Sequence, residues 1–381
     1  MQLIRVTDRD LVSEFVHLPS RLNHQRKMWS RSQQKQIKSL IYRKSSFYDR
    51  GDAAFWILTN FRGQTIGRIA AFVEHPEHTD HPQGFIGLLD CINHFKAAAS
   101  LFDESKHWLA QQGVKSMKAP LSFLPFQLPG VALQDELRQG VPFLSTQASY
   151  FADLYEFYGF KPIATDELWK YESVNDVLKE EVKVSANHTL LNRKFTFKRI
   201  NKAELESVAE AIATIYTSQP EVLDLSAQSS KVILHWLRLM FDQSPAPLGW
   251  IAYRNGGPFA FTLNIIVKGR VDQPSEVLWK QWMAHFSKKN QFILNLGHQL
   301  AGQGEEAREV ASALLFLCEQ EVSEHSQYQH QHFLILKKSF TPFKSCINTT
   351  TALDKFAKFE YSFDQEPLIG TFAKSKVVTR N

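Results

Sequence analysis

Apolar positions recur along the chain at two periods, and the switches between them mark out its elements. Over residues 10–22, Leu11, Phe15, Val16 and Leu18 share one helical face that Pro19 is expected to stop. Residues 55–74 form two apolar runs joined at Arg62-Gly63-Gln64, the pattern of a β-hairpin. A buried strand follows over 84–93. An amphipathic helix over 96–112 ends at Gly113, and a further strand covers 114–123. After a loop rich in proline and glycine comes a helix over 147–158, closed by Gly159-Phe160.

Residues 172–193 are polar, with Lys and Glu mixed and no sustained apolar period, so a domain boundary is placed near Ser185. Beyond it the pattern begins again. A strand over 197–200 and helices over 202–216 and 230–241 lead to a second hairpin, 249–268, whose turn is Asn255-Gly256-Gly257. Trp250-Ile251 precedes that turn as Trp56-Ile57 precedes the first. Residues 292–321 then read as strand, glycine loop and helix, followed by a strand over 333–337 and a terminal helix over about 352–359. The expectation is an α/β chain with a mixed sheet, in two domains of one design, residues 1–185 and 186–381.

Composition narrows the class without naming a function. The 381 residues are 44% hydrophobic and 22% charged, and no apolar run reaches the length of a membrane span, so a cytoplasmic protein is expected. Cys91, Cys318 and Cys346 are far apart and odd in number, which argues for reduced, mostly buried thiols rather than a disulfide framework or a zinc cluster. The net charge of +5 is modestly basic. Residues 21–50 carry nine Lys or Arg interleaved with Trp29, Tyr42, Phe47 and Tyr48, which offers either weak RNA binding or a solvated helical face. His75, His78 and His81 fall in a proline-containing loop with nothing regular to aim them, and no metal is expected.

The stretch with most chemistry is the glycine loop after the strand at 292–297. Gln299, Gly302 and Gly304 are spaced Q-x-x-G-x-G, with Gln303 between the glycines, immediately before a helix. Glycines there let successive N–H groups curl around an anion at a helix N-terminus, where the dipole favours negative charge. Against this, Glu305 and Glu306 open the helix and would repel a phosphate.

That spacing resembles the pyrophosphate loop of the GNAT superfamily of acyl-CoA-dependent N-acetyltransferases. The first half supports the likeness with Leu154-Tyr155-Glu156-Phe157-Tyr158-Gly159-Phe160, similar to the segment that closes the GNAT core. Shorter matches resemble a bacterial family with two GNAT-like units: Leu18-Pro19, Trp29, Phe47-Tyr48 with Gly51 and Ala53, Gly67-Arg68-Ile69-Ala70-Ala71 and Gly84-Phe85-Ile86-Gly87. The first half departs from the pattern where Asp90-Cys91-Ile92-Asn93-His94-Phe95 replaces the glycine loop, and where residues 121–144 offer phenylalanines and prolines.

The resemblance implies acetyl-CoA or another acyl-CoA as co-substrate and a small-molecule or peptide amine as acceptor. It places Leu294 and Leu296 on the strand that pairs with the pantetheine arm, and Gln299, Gly302, Gln303 and Gly304 around the pyrophosphate. Tyr155 falls at the position of the acid that protonates the thiolate, Asp90 or His298 could serve as base, and Phe356 falls where the second half would need its tyrosine. Each has a plainer reading: Tyr155 as a core tyrosine with a bonded hydroxyl, Asp90 as a helix cap, His298 as a solvent-exposed side chain. Three functions stay open: an acyl-CoA-dependent N-acyltransferase, a non-catalytic ligand- or partner-binding protein, and an aminoacyl-tRNA-dependent transferase. The acceptor and the oligomeric state are not legible.

Overall fold

The computed structural model describes residues 1–22, 31–49, 51–75, 81–121, 130–133, 148–171, 178–218, 229–243, 248–268, 291–300, 304–324, 330–336, 348 and 352–364. One order of elements occurs twice. In the first half it is β1 (Gln2–Arg5), α1 (Arg9–Leu22), α2 (Arg31–Ile41), β2 (Gly51–Thr59), β3 (Thr65–Glu74), β4 (Gln83–Cys91), α3 (Phe95–Gln111) and β5 (Ser116–Leu121). The short β6 (Val131–Ala132), α4 (Tyr150–Tyr158) and β7 (Lys161–Tyr171) follow. In the second half it is β8 (Phe195–Arg199), α6 (Leu205–Thr217), α7 (Ser230–Gln243), β9 (Leu248–Arg254), β10 (Gly257–Lys268), β11 (Gln291–Leu300), α8 (Glu305–Glu324) and β12 (His330–Leu336). Between the halves lies α5 (Glu180–Leu191), which runs through the boundary expected at Ser185, and after them comes β13 (Ala352–Ser362).

Both hairpins form as their patterns require. Asn255 and Gly256 adopt φ of 52° and 83°, the two left-handed residues that let a tight turn match the twist of β9 and β10. In the first half, alternation sends Ala54, Trp56, Leu58, Ile69, Ala71 and Val73 to a core under α3 and α4. Ala53, Phe55, Ile57, Ala70 and Phe72 go to a core under α1 and α2. In the second half, α8 buries Ala307, Val310, Ala311, Leu314 and Leu315 against Ala252, Phe259 and Ala260.

The described strands join in one sheet, ordered β1-β2-β3-β4-β5-β13-β7-β12-β11-β10-β9-β8, with β6 on β13. The centre of that order crosses the halves. β13, which follows the second half, inserts beside β5 of the first, and β7 of the first half lies between β13 and β12.

Two sequence expectations are corrected here. Residues 352–359 are strand, not helix: Ala357, Phe359 and Tyr361 enter the core while Lys358 and Glu360 are partly exposed, a period of two. Phe356 therefore sits on a strand, paired with Ala132 and Asp166, and cannot hold the place of a tyrosine on a closing helix. Pro19 does not stop α1, which continues to Leu22 with the proline inside it. Proline removes the N–H that would bond the carbonyl of Phe15, and Arg68 of β3 supplies a donor to that carbonyl at 2.6 Å instead.

Candidate functional site

In the first half the parallel strands β4 and β5 pair at Gly84–Met117, Phe85–Lys118 and Gly87–Leu121, and β4 then runs on to Cys91. Just past the last pair, Leu88 has φ +53°, a conformation that bends the strand. Asp90 lies beyond this bend. It is buried, and Arg68 holds it through Nε at 2.9 Å and Nη2 at 2.7 Å. The guanidinium also lies 4.9 Å from the Phe15 ring centroid. Asp90 is thus neither an exposed base nor a helix cap; the N-cap of α3 is His94.

Tyr155 lies on the other face of the sheet, in the core under α3 and α4. Its ring stacks on Phe359 of β13 at 5.3 Å and packs on Phe102 and Phe160. Its hydroxyl is fully buried with no hydrogen-bond partner among the described residues. Burial pushes its pKa well above the ordinary tyrosine value, and Cys91 and Asp90 add to the rise. The Cys91 thiol is likewise pushed up to about 12, chiefly by burial. Tyr150, at the start of α4, donates its hydroxyl to the Cys91 carbonyl at 2.8 Å.

In the second half β11 and β12 pair from Gln291–His330 to Leu294–Phe333. Both strands continue past the last pair, β11 to Leu300 and β12 to Leu336, while on its other edge β12 pairs with β7 from His332–Tyr171 to Leu336–Glu167. Parallel neighbours that pair at one end and part at the other leave backbone groups facing a wedge, and such groups need partners. At the mouth of this wedge α8 begins directly after Gly304, whose φ is +99°. Only glycine adopts that conformation readily, and a Cβ placed there would meet nothing within 4 Å.

Glu306, in the first turn of α8, is turned to Lys194 before β8 and to Arg254 at the end of β9, the latter at 2.8 Å. Hydrogen bonds from Lys194 and Arg254 hold its carboxyl below the usual glutamate range. Its charge is thereby answered, which weakens the repulsion expected from an acidic helix start.

The predicted residues divide between the halves. Leu294, Leu296, His298 and Gln299 lie on β11, with His298 opposite Thr262 and Gln299 opposite Phe261 of β10. Gly302 and Gln303 fall outside the described residues, as does Cys346. Tyr155 and Asp90 belong to the first-half cores, so the structure gathers the strand and its glycine loop in one half and the tyrosine and carboxylate in the other. Sequence reasoning assigned no role to Arg68, although it lies inside a quoted match. It also passed over Tyr150, Lys194 and Arg254, for which no local motif exists. Within 21–50, two of the described cations, Arg21 and Arg43, are engaged with Glu14 and Asp52.

No family model and no curated protein sequence matches the chain. Solved structures do. The GCN5-related glucosamine N-acetyltransferase region of a fungal multi-domain GH3 β-N-acetylglucosaminidase aligns over 94% of this chain at TM-score 0.52 and 12% identity; the match spans 38% of that protein's chain. A probable N-acyltransferase of Enterococcus faecalis V583 aligns over 95% of this chain and 72% of its own, at TM-score 0.52 and 11% identity. A GCN5-related N-acetyltransferase of Anabaena variabilis aligns over 94% and 72%, at TM-score 0.53 and 9% identity. The chain thus has the fold of the GNAT acyl-CoA N-acyltransferases.

Proposed function

We propose that the chain is an acyl-CoA-dependent N-acyltransferase whose co-substrate lies in the wedge between β11 and β12, with its pyrophosphate at the start of α8. The observation that carries this is the pairing of a strand separation with a glycine at φ +99° immediately before a long helix. The residues fit such a ligand. The N–H groups of the first turn of α8 have no partner inside the helix, and the dipole there favours an anion. Gln299, Gly302, Gln303 and Gly304 supply the sequence of the turn between β11 and α8, and Leu294 and Leu296 belong to the strand whose backbone would meet an extended pantetheine arm. Acyl-CoA supplies a thioester: the acceptor nitrogen bonds to its carbonyl carbon, the C–S bond breaks, and the thiol leaves with a proton. His298, on the same strand, is the residue of this set able to accept the amine proton near neutral pH.

The working unit is the whole chain rather than residues 186–381 alone. β12, one wall of the wedge, is paired along its far side with β7, so residues preceding the expected boundary support the site. The acceptor is an amine of unassigned structure. No described helix is long and apolar enough to cross a membrane.

Thermal unfolding with and without millimolar acetyl-CoA tests the reading. Ligand at a hundred times its Kd stabilises by about 2.7 kcal/mol, which is a readable rise in Tm. No rise in the wild-type protein would remove the proposal. Release of free thiol on addition of an amine panel would extend it from binding to catalysis.

A further inference from the structure

We infer that the first half is closed to acyl-CoA, so that each chain holds a single nucleotide site; the inference rests on the function proposed above. The two halves repeat one order of elements, and the question is whether the wedge after β4 is equivalent to the wedge after β11. Its own residues have filled it. Ile92 donates its N–H to Ile66 of β3 at 3.0 Å, so by strand alternation the carbonyl of the preceding Cys91 points the other way, toward β5 and the wedge. That acceptor, which an extended ligand would need, is taken by the Tyr150 hydroxyl at 2.8 Å.

The floor of the wedge is filled as well. Tyr155 is fully buried against Phe102, Phe160 and Phe359, the last brought in by β13. At the mouth, where the second half has Gly304 beside open space before α8, the first half has His94 before α3, and Phe95, the first residue of α3, packs edge-on against Phe157 of α4 at 6.4 Å. Phe157 and Ile92 are exposed, as are Asn93, His94 and Lys96, and the ring of Phe157 stands against the first residue of the helix. Asp90 is buried and paired with Arg68, which takes its Oδ2 twice.

The test is the stoichiometry and location of CoA binding to the full chain. Equilibrium dialysis with labelled CoA should give one equivalent per chain, and hydrogen–deuterium exchange of the wild-type protein should show protection at the start of α8 and none over residues 88–98. A bound equivalent that protects 88–98, or two equivalents, would overturn the inference. Gly304→Ala and Gly304→Val should lower binding together, and any equivalent surviving in a folded Gly304→Val protein would place it in the first half, with the same effect. Zero equivalents would remove the proposed function and this inference with it, an outcome distinct from two.

Discussion

Arg68 donates to the carbonyl of Phe15 at 2.6 Å, at the one place in α1 where Pro19 leaves that acceptor without its helical partner. The same guanidinium neutralises Asp90, and both groups are buried. Removing one member of a buried pair strands the other, at a cost of about 3–5 kcal/mol. Arg68→Met and Asp90→Ala should each cost about that in urea unfolding, whereas the double replacement Arg68→Met with Asp90→Leu should cost distinctly less than the two singles added. Single losses below about 1 kcal/mol would show that the pair does not organise this core.

Tyr155 offers the opposite expectation. Its hydroxyl is buried without a partner among the described residues, and an orphaned polar group costs about 1–3 kcal/mol. Tyr155→Phe should therefore leave stability unchanged or raise it, while Tyr155→Ala opens a cavity and should cost about 3–5 kcal/mol. If acyl transfer takes place in the second half, Tyr155→Phe should also leave turnover unchanged. A large loss of turnover with intact folding would return the acid role to this residue.

Thiol chemistry provides a third check. Cys91 and Cys318 are both buried, and burial raises both pKa values, that of Cys91 to about 12. Asn264 further occupies the Cys318 sulfur at 3.1 Å. Neither thiol should react with iodoacetamide in the native protein on the timescale that labels both in denaturant, as followed by peptide mass spectrometry. Rapid native labelling of Cys91 would show that the first-half wedge opens.

The Glu306 contacts have a defined pH dependence. Lys194 and Arg254 hold the carboxyl below its ordinary value of 4.5, so the folded chain releases this proton more readily than the unfolded one. The stabilisation is fully present above the unfolded value and disappears as pH falls through the lower folded one. Because the cations are about half exposed, it is worth less than about 1 kcal/mol. Lys194→Ala should therefore lower the Tm slightly near neutral pH and leave it unchanged in strong acid; an equal effect at both would assign the loss to packing.

What the sequence made legible was local chemistry. The Asn255-Gly256 turn, the hairpin of β2 and β3 and the apolar face of α3 each depend on neighbours in the chain, and each formed as read. The failures were matters of partnership. Pro19 stops a helix only when nothing else serves the freed carbonyl, and its rescuer lies on β3. In residues 352–362 the alternation of Ala357, Phe359 and Tyr361 was present, but a strand so late in the chain has no visible partner until β5 and β7 are seen to have a gap between them. At the site, Gly304 stands directly before α8, where the spacing put a glycine, while Gly302 and Gln303 lie outside the described residues. The closure of the other wedge by Tyr150 was not legible, because it joins two residues through one hydroxyl and one backbone carbonyl.

That gap between β5 and β7 has a consequence for biosynthesis. A ribosome delivers the first half while β13 has yet to be made, so the nascent sheet stands with β5 and β7 unpaired at its centre, two open edges of the kind that invite wrong pairing. Completion waits for residues more than 180 positions beyond β7. The sheet therefore closes only after most of the chain has emerged, and pairing over so long a range is intrinsically slow.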